Sequence, residues 1–339
     1  MQPLAILNTG LVTAVGTTVA SACAAIRVGI SNTQETLFVG SDGEWIMGHK
    51  VTLEQPSRGM TRLVKMAAMA IRESLAEVPK DQWASIPLLL CVAERERPGR
   101  QEYLDDQLFS KVQLELEVEF SPGSSVIPHG RVSVAMALQY AQQLIYTDEI
   151  PLVLIVATDS LLSWPTLSVY DNNDRLLNND NSNGFIPGEA GAALLIAKPD
   201  ATSQLRCVGV GIATEKAHID SEEPLRANGL TDAIRLALTD AGCEMHDLDF
   251  RICDVSGEQY YFKEAALALS RSLHQPKEKF DIWHPADCIG EIGAAAGVAM
   301  VIIANVASSK GYSKGVNILA HMASDPGQRV AIVLQWRNH

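Results

Sequence analysis

A chain of 339 residues has room for two domains or one large duplicated one. Its 47% hydrophobic, 20% charged and 6% aromatic content excludes a disordered chain and suits helices packed against buried strands. The formal charge of -13, with 27 basic residues that form no run, excludes a phosphate-neutralising nucleic-acid binder.

Apolar runs of strand length alternate with longer small-residue segments along the chain. The first half reads strand 4–10, helix 17–28, helix 61–77, strand 86–93 and helix 101–115. A short strand at 124–128, a helix at 130–146 and strands at 151–157 and 190–197 follow. The second half repeats the order: strand 205–214, helix 229–242, strand 249–256, helix 258–273, then the short FDIWHP at 280–285. GEIGAAAGVAMVIIANVAS at 290–308 is a second long apolar helix, and VNILAH and RVAIVLQW close the chain. Continuously apolar strands between helices imply sheets covered on both faces. The helices at 130–146 and 290–308 are apolar nearly all round, so they belong between two sheets. The expected fold is α/β, with duplicated βαβαβ halves at 1–200 and 201–339 in five layers, α/β/α/β/α.

No run reaches the roughly 18 to 20 apolar residues of a membrane span. The opening MQPLAILNTG has no basic stretch followed by a long apolar one, so no secretory signal is expected. Cys23, Cys91, Cys207, Cys243, Cys253 and Cys288 form no C-x-x-C pair, which implies reduced thiols in a cytoplasmic protein. DNNDRLLNNDNSNG at 171–184 is rich in oxygen ligands but lacks the glycine and terminal glutamate of a calcium loop. It is read as a solvated turn, with no metal and no cofactor expected. The charged segment ERERPGRQEYLDDQ at 94–107 is read as a surface loop.

Three segments resemble the β-ketoacyl-acyl-carrier-protein synthases of the thiolase superfamily. GLVTAVGTTVASACAAIRVGIS at 10–31 is similar to their opening turn and helix. NGFIPGEAGAALLI at 183–196 is similar to their Asp-Gly-Phe-Val-Xaa-Gly-Glu-Gly-Ala-Gly segment, and GEIGAAAGVA at 290–299 to their Gly-His-Leu-Xaa-Gly-Ala-Ala-Gly helix start. The resemblance implies the thiolase fold and an acyl-transfer site, with a cysteine at a helix N-terminus, two histidines and an oxyanion hole.

Matched position by position, that site is missing. The nucleophile's place falls on Gly130 in PHGRVS, the first histidine's on Ser256 and the second's on Glu291. The family's lysine falls near Ala286 and Asp287, and its oxyanion loop is replaced around HMASDPGQ at 321–328. Serine and glutamate do not replace imidazoles facing a developing enolate, so the resemblance is to a degenerate, non-catalytic branch. A relocated site would use Cys288 with His284 or His129 and Glu291; a buried cysteine more commonly packs. Arg131, with His129 and Glu291, could bind an acidic group at the helix start, or Arg131 could pair with Glu291 across the old cleft.

The resemblance further implies a homodimer through an edge strand of the first half, or a heterodimer with another thiolase-like chain. It leaves three functions open. One is a binding or adaptor protein, as in the thiolase-like accessory proteins near type VI secretion effectors. The second is a chain-length-factor-like partner of an active ketosynthase. The third is an acyltransferase or 3-oxoacyl-carrier-protein synthase that uses Cys288. Secretion effectors and acyl-carrier protein are the partners these readings imply.

Overall fold

In the computed structural model, which describes residues 1–202 and 204–338, the strand-length apolar runs form strands and the longer small-residue runs form helices. In chain order these are β1 (Leu4–Val12), α1 (Val19–Arg27), β2 (Gln34–Val39), β3 (Trp45–Gly48), α2 (Gly59–Ser74), β4 (Leu88–Cys91) and α3 (Leu104–Leu116). Then come β5 (Ser125–Ile127), α4 (Ser133–Tyr146), β6 (Val153–Ser160), α5 (Trp164–Asn172) and β7 (Glu189–Ala197). The chain goes on through β8 (Gln204–Thr214), α6 (Asn228–Ala241), β9 (Phe250–Cys253), α7 (Gln259–Ser272), β10 (Ile282–Trp283) and α8 (Ala286–Ile289). It closes with α9 (Ala295–Ser309), β11 (Asn317–Ala323) and β12 (Gln328–Arg337).

The strands run β10-β9-β11-β12-β8-β1-β7-β6-β4-β5, and the two sides of this order mirror each other. On one side β1 and β7, then β7 and β6, are antiparallel, while β4 lies parallel to β6 and β5. On the other, β8 and β12, then β12 and β11, are antiparallel, while β9 lies parallel to β11 and β10. The two sides meet through the antiparallel pairs Leu4↔Cys207, Ala5↔Arg206 and Ile6↔Leu205. No helix among the described residues is long and apolar enough to cross a membrane.

Burial explains the layering. α4 and α9 share one core with strand residues from both sides, including Ile155 and Ala157 on β6, Ile252 on β9 and Ile332 on β12. α2 and α3 cover the outer face of β4, β6 and β7, and α6 covers the outer face of β11 and β12. β4 and β7 are buried along their whole length because both of their faces are covered.

Three local features were not visible as periodicity. The hairpin β2–β3 and helix α5 fall in stretches too short and too polar to stand out. The second central helix starts five residues later than its apolar run: Gly290 and Gly293 have φ of +72° and +55°, a left-handed backbone that an α-helix cannot contain.

Candidate functional site: a charge network between two helix starts

The corner after β5 leads through Gly130, at φ +55°, into a single tight turn and then α4. A β-carbon on Gly130 would overlap Glu94 Oε2 and lie 2.8 Å from its Cδ. The start of α9 repeats the arrangement. A β-carbon on Gly293 would overlap Asp159 Oδ2, and that oxygen accepts the Ala294 N–H at 2.8 Å. Each helix start thus faces a carboxylate where the helix dipole favours negative charge.

Arg97 stands between these two carboxylates. Its Nε and Nη2 donate to Glu94 at 2.7 Å each, and its Nη1 lies 3.3 Å from Asp159. Burial alone would raise the Glu94 carboxyl, but the adjacent Arg97 guanidinium carries it below the ordinary range. Asp159 goes the other way: burial raises it, and Arg97 offsets only part of that.

Arg131, buried to 8% exposure, opens a second and larger network. It donates to Glu291 Oε2 at 3.1 Å, to the Tyr261 hydroxyl at 3.0 Å and to Asp325 Oδ1 at 2.6 Å. Asp254 lies 3.8 Å from its Nε. Glu291 also accepts from Ser256 Oγ at 3.1 Å and from the Gly293 N–H at 3.0 Å. Asp325, from the turn between β11 and β12, is clamped on its other side by Arg175, which also makes a fork to Glu258 at 2.7 and 2.8 Å.

Carboxylates outnumber guanidinium groups in this cluster, and burial raises two of them. Burial pushes Glu291 up to about 7, with Arg131 opposing, and it raises Asp254 as well. Asp325 is held well below the ordinary range, because Arg131 and Arg175 together outweigh its burial.

Glu291 therefore makes stability depend on pH. Its native pKa lies above the ordinary 4.5, so between about 4.5 and about 7 the native state binds more protons than the unfolded one. Stability from this group falls as pH rises through that window and levels off above it. Glu291→Gln removes the term: the stability difference between variant and wild type should move by about 3 kcal/mol in the variant's favour from pH 4.5 to pH 7.5. Urea melts across that range check it, and a flat difference would refute the raised native carboxyl.

The structure brings Arg131, Ser256 and Glu291 together, with Gly130 next to Arg131 and Asp325 of the 321–328 loop joining them, and leaves the relocated-site residues apart. Cys288 is buried in α8, its Sγ 4.0 Å from the Ile26 carbonyl, and burial raises its thiol. No hydrogen bond or ion pair among the described residues joins Cys288 to His284, His129 or Glu291. His284 Nδ1 lies 2.8 Å from Asp287, in an alignment too poor for a hydrogen bond. His129 faces Gln328 at 3.4 Å. Ala286 and Asp287 lie in α8, and neither side chain makes a hydrogen bond or ion pair to the Arg131 network among the described residues.

Two segments read from sequence as solvated carry network residues instead. Glu94 and Arg97 of the 94–107 segment are at 12% and 5% side-chain exposure, and Arg175 of the 171–184 segment is at 12%. Position on the strands was the available signal. Glu94, Asp159, Asp254 and Asp325 sit at or just beyond the carboxyl ends of β4, β6, β9 and β11, where α/β sheets place their ligand groups.

The mirrored strand order, paired central helices and facing helix starts define a thiolase-like fold of the ketosynthase type. It matches the ishigamide ketosynthase/chain length factor with a TM-score of 0.81 at 15% identity, over 99% of this chain and 100% of that one. A ketosynthase in complex with its chain length factor from Xenorhabdus doucetiae matches at 0.77 and 14%, over 99% and 98%. A β-ketoacyl synthase from Burkholderia phymatum matches at 0.74 and 15%, over the full length of both chains. No protein-family model and no curated protein sequence matches this chain.

Proposed function

We propose that this chain is a ketosynthase-like protein that does not condense acyl groups and works by binding, as an accessory or adaptor protein. The observation that carries the reading is the Glu94 carboxylate, which lies where a side chain of residue 130 would begin. By resemblance that residue is the acylated cysteine. The places of the two histidines, Ser256 and Glu291, are engaged with each other and with Arg131. Such a cluster is a fixed, hydrogen-bonded assembly, and it offers neither a thiolate nor a donor pair for an enolate. The type VI secretion context implied by resemblance belongs to this reading, and copurification of the tagged protein with the products of neighbouring genes tests it.

Intact mass after incubation with acyl-CoA and with acylated carrier protein tests the central claim. An unchanged mass is expected. A covalent acyl adduct that is lost in Cys288→Ala would overturn the reading in favour of an acyltransferase with a rearranged site.

A chain-length-factor-like role is the second reading. The free outer edge of β5, the last strand of the order, supports it, as does the likeness to a ketosynthase that is paired with its chain length factor. It requires a stable heterodimer on coexpression with an intact synthase. Light scattering that finds a homodimer under those conditions would remove it.

A further inference from the structure

A cleft of about 990 Å³ opens beside the charge network, between the β2–β3 hairpin, the start of α2 and the segment leading into α3. Five consecutive residues of β2, Gln34 to Phe38, line it. Among the described residues β2 pairs with β3 alone, so its opposite edge carries no strand there. An unpaired strand edge along a cleft offers main-chain donors and acceptors to an extended chain.

The cleft also has a charge and an apolar shelf. Arg62 and Arg97 in its wall are matched by Glu189, Glu94 and Asp159, and Arg100 is matched by Asp105. Lys50 and Arg58 at its rim are exposed and have no ion pair among the described residues, against one exposed carboxylate of the lining, Glu35, that likewise has none. Ser57 Oγ, beside Arg58, is shielded from solvent and has no hydrogen-bond partner among the described residues. Unmatched positive charge is notable in a chain of net charge -13, and it favours an acidic occupant. Trp164, 47% exposed and stacked on Phe38 at 5.8 Å, lines the cleft together with Leu37 at 68% exposure. Val39, Trp45 and Met47 continue the exposed apolar surface along the hairpin, past the cleft itself. Apolar surface of that extent marks a protein contact.

We propose that this cleft docks an extended segment of a partner protein, added along the edge of β2, with acidic side chains at Lys50 and Arg58 and a bulky apolar anchor on Leu37 and Trp164. The proposal rests on the reading of the chain as a binding protein and gives that binding a place. A small ligand confined to the cleft would leave the outer apolar face of the hairpin uncovered, which favours a peptide.

Selection of a randomised peptide display library on the intact protein tests it. The enriched peptides are expected to combine Asp or Glu with Trp, Phe or Leu. Their affinity should fall about tenfold or more in Lys50→Glu/Arg58→Glu and weaken with salt. N-methylation of alternate backbone nitrogens in the best peptide should abolish binding, because it removes strand pairing and spares the side chains. Three results would overturn the proposal: no enrichment, enriched peptides without acidic residues, or equal binding to the charge-reversed variant. Retention of dodecanoate with no acidic peptide retained would identify a small-molecule pocket and likewise overturn it. An acyl adduct in the mass experiment would sink the non-catalytic reading without touching these outcomes.

Discussion

Arg131→Met is expected to remove about 3–5 kcal/mol of stability at pH 8, enough to unfold a domain of ordinary margin. The guanidinium is 8% exposed and touches Glu291, Asp325 and the Tyr261 hydroxyl directly. Methionine fills much of the same volume but leaves three carboxylates, with Asp254, facing an apolar group. Such groups respond by taking up protons. Glu291 and Asp254 are already raised by burial and rise further without Arg131, while Arg175 still holds Asp325. The native state then binds more protons than the unfolded chain across the acid-to-neutral range, so the loss should shrink as pH falls from 8 to 5. Urea unfolding at both values measures it. A cost below about 1 kcal/mol at both would mean that water reaches the cluster. Arg131→Met/Glu291→Leu removes charge from both sides and should recover part of the loss, since replacing both members of a buried pair costs less than removing one.

The fold was legible because its signals are additive over many residues. The central helix 295–309 is apolar on every face, and β4 and β7 are apolar without alternation. Each pattern has one physical meaning, burial on all sides. The helix start at Ala295 was misplaced because composition does not report backbone sign: glycines at 290, 293 and 297 read alike until their φ values separate the first two from the helical third. The site divided in a similar way. Gly130, Arg131, Ser256 and Glu291 could be found by matching segments, since they occupy fixed places on the scaffold. Glu94, Arg97 and Arg175 could not, because each comes from a charged or polar stretch whose local composition is that of a surface loop, and Asp325 lies in the matched 321–328 loop without its carboxylate standing out there. Their burial depends on partners 62 to 194 residues distant, such as Asp159 for Arg97, Asp325 for Arg175 and Arg131 for Asp325. Charge pairing across such distances leaves no periodic trace.

Gly130→Cys, which places a cysteine where the proposed reading puts the lost nucleophile, is expected to destabilise the chain by about 3 kcal/mol and to yield no acyl-enzyme. Two physical terms combine. A residue with a β-carbon held at φ +55° costs about 1–2 kcal/mol. The new β-carbon also overlaps Glu94 Oε2, so the carboxylate must swing away from both of its bonds to Arg97. Arg97 would then be left buried with Asp159 alone, at 3.3 Å. The thiol itself gains no activating imidazole, since Ser256 and Glu291 hold those places and the nearer histidine, His129, faces Gln328. Glu94→Ala opens the space the cysteine needs while weakening Arg97. The double variant should therefore be more stable than the two single losses added together, by a coupling of about 1 kcal/mol or more. Its thiol should react with iodoacetamide, and incubation with acyl-CoA followed by intact mass should still show no adduct. A single Gly130→Cys chain as stable as wild type would show that Glu94 does not press on residue 130. An acylated double variant would show instead that the carboxylate alone had closed a working site.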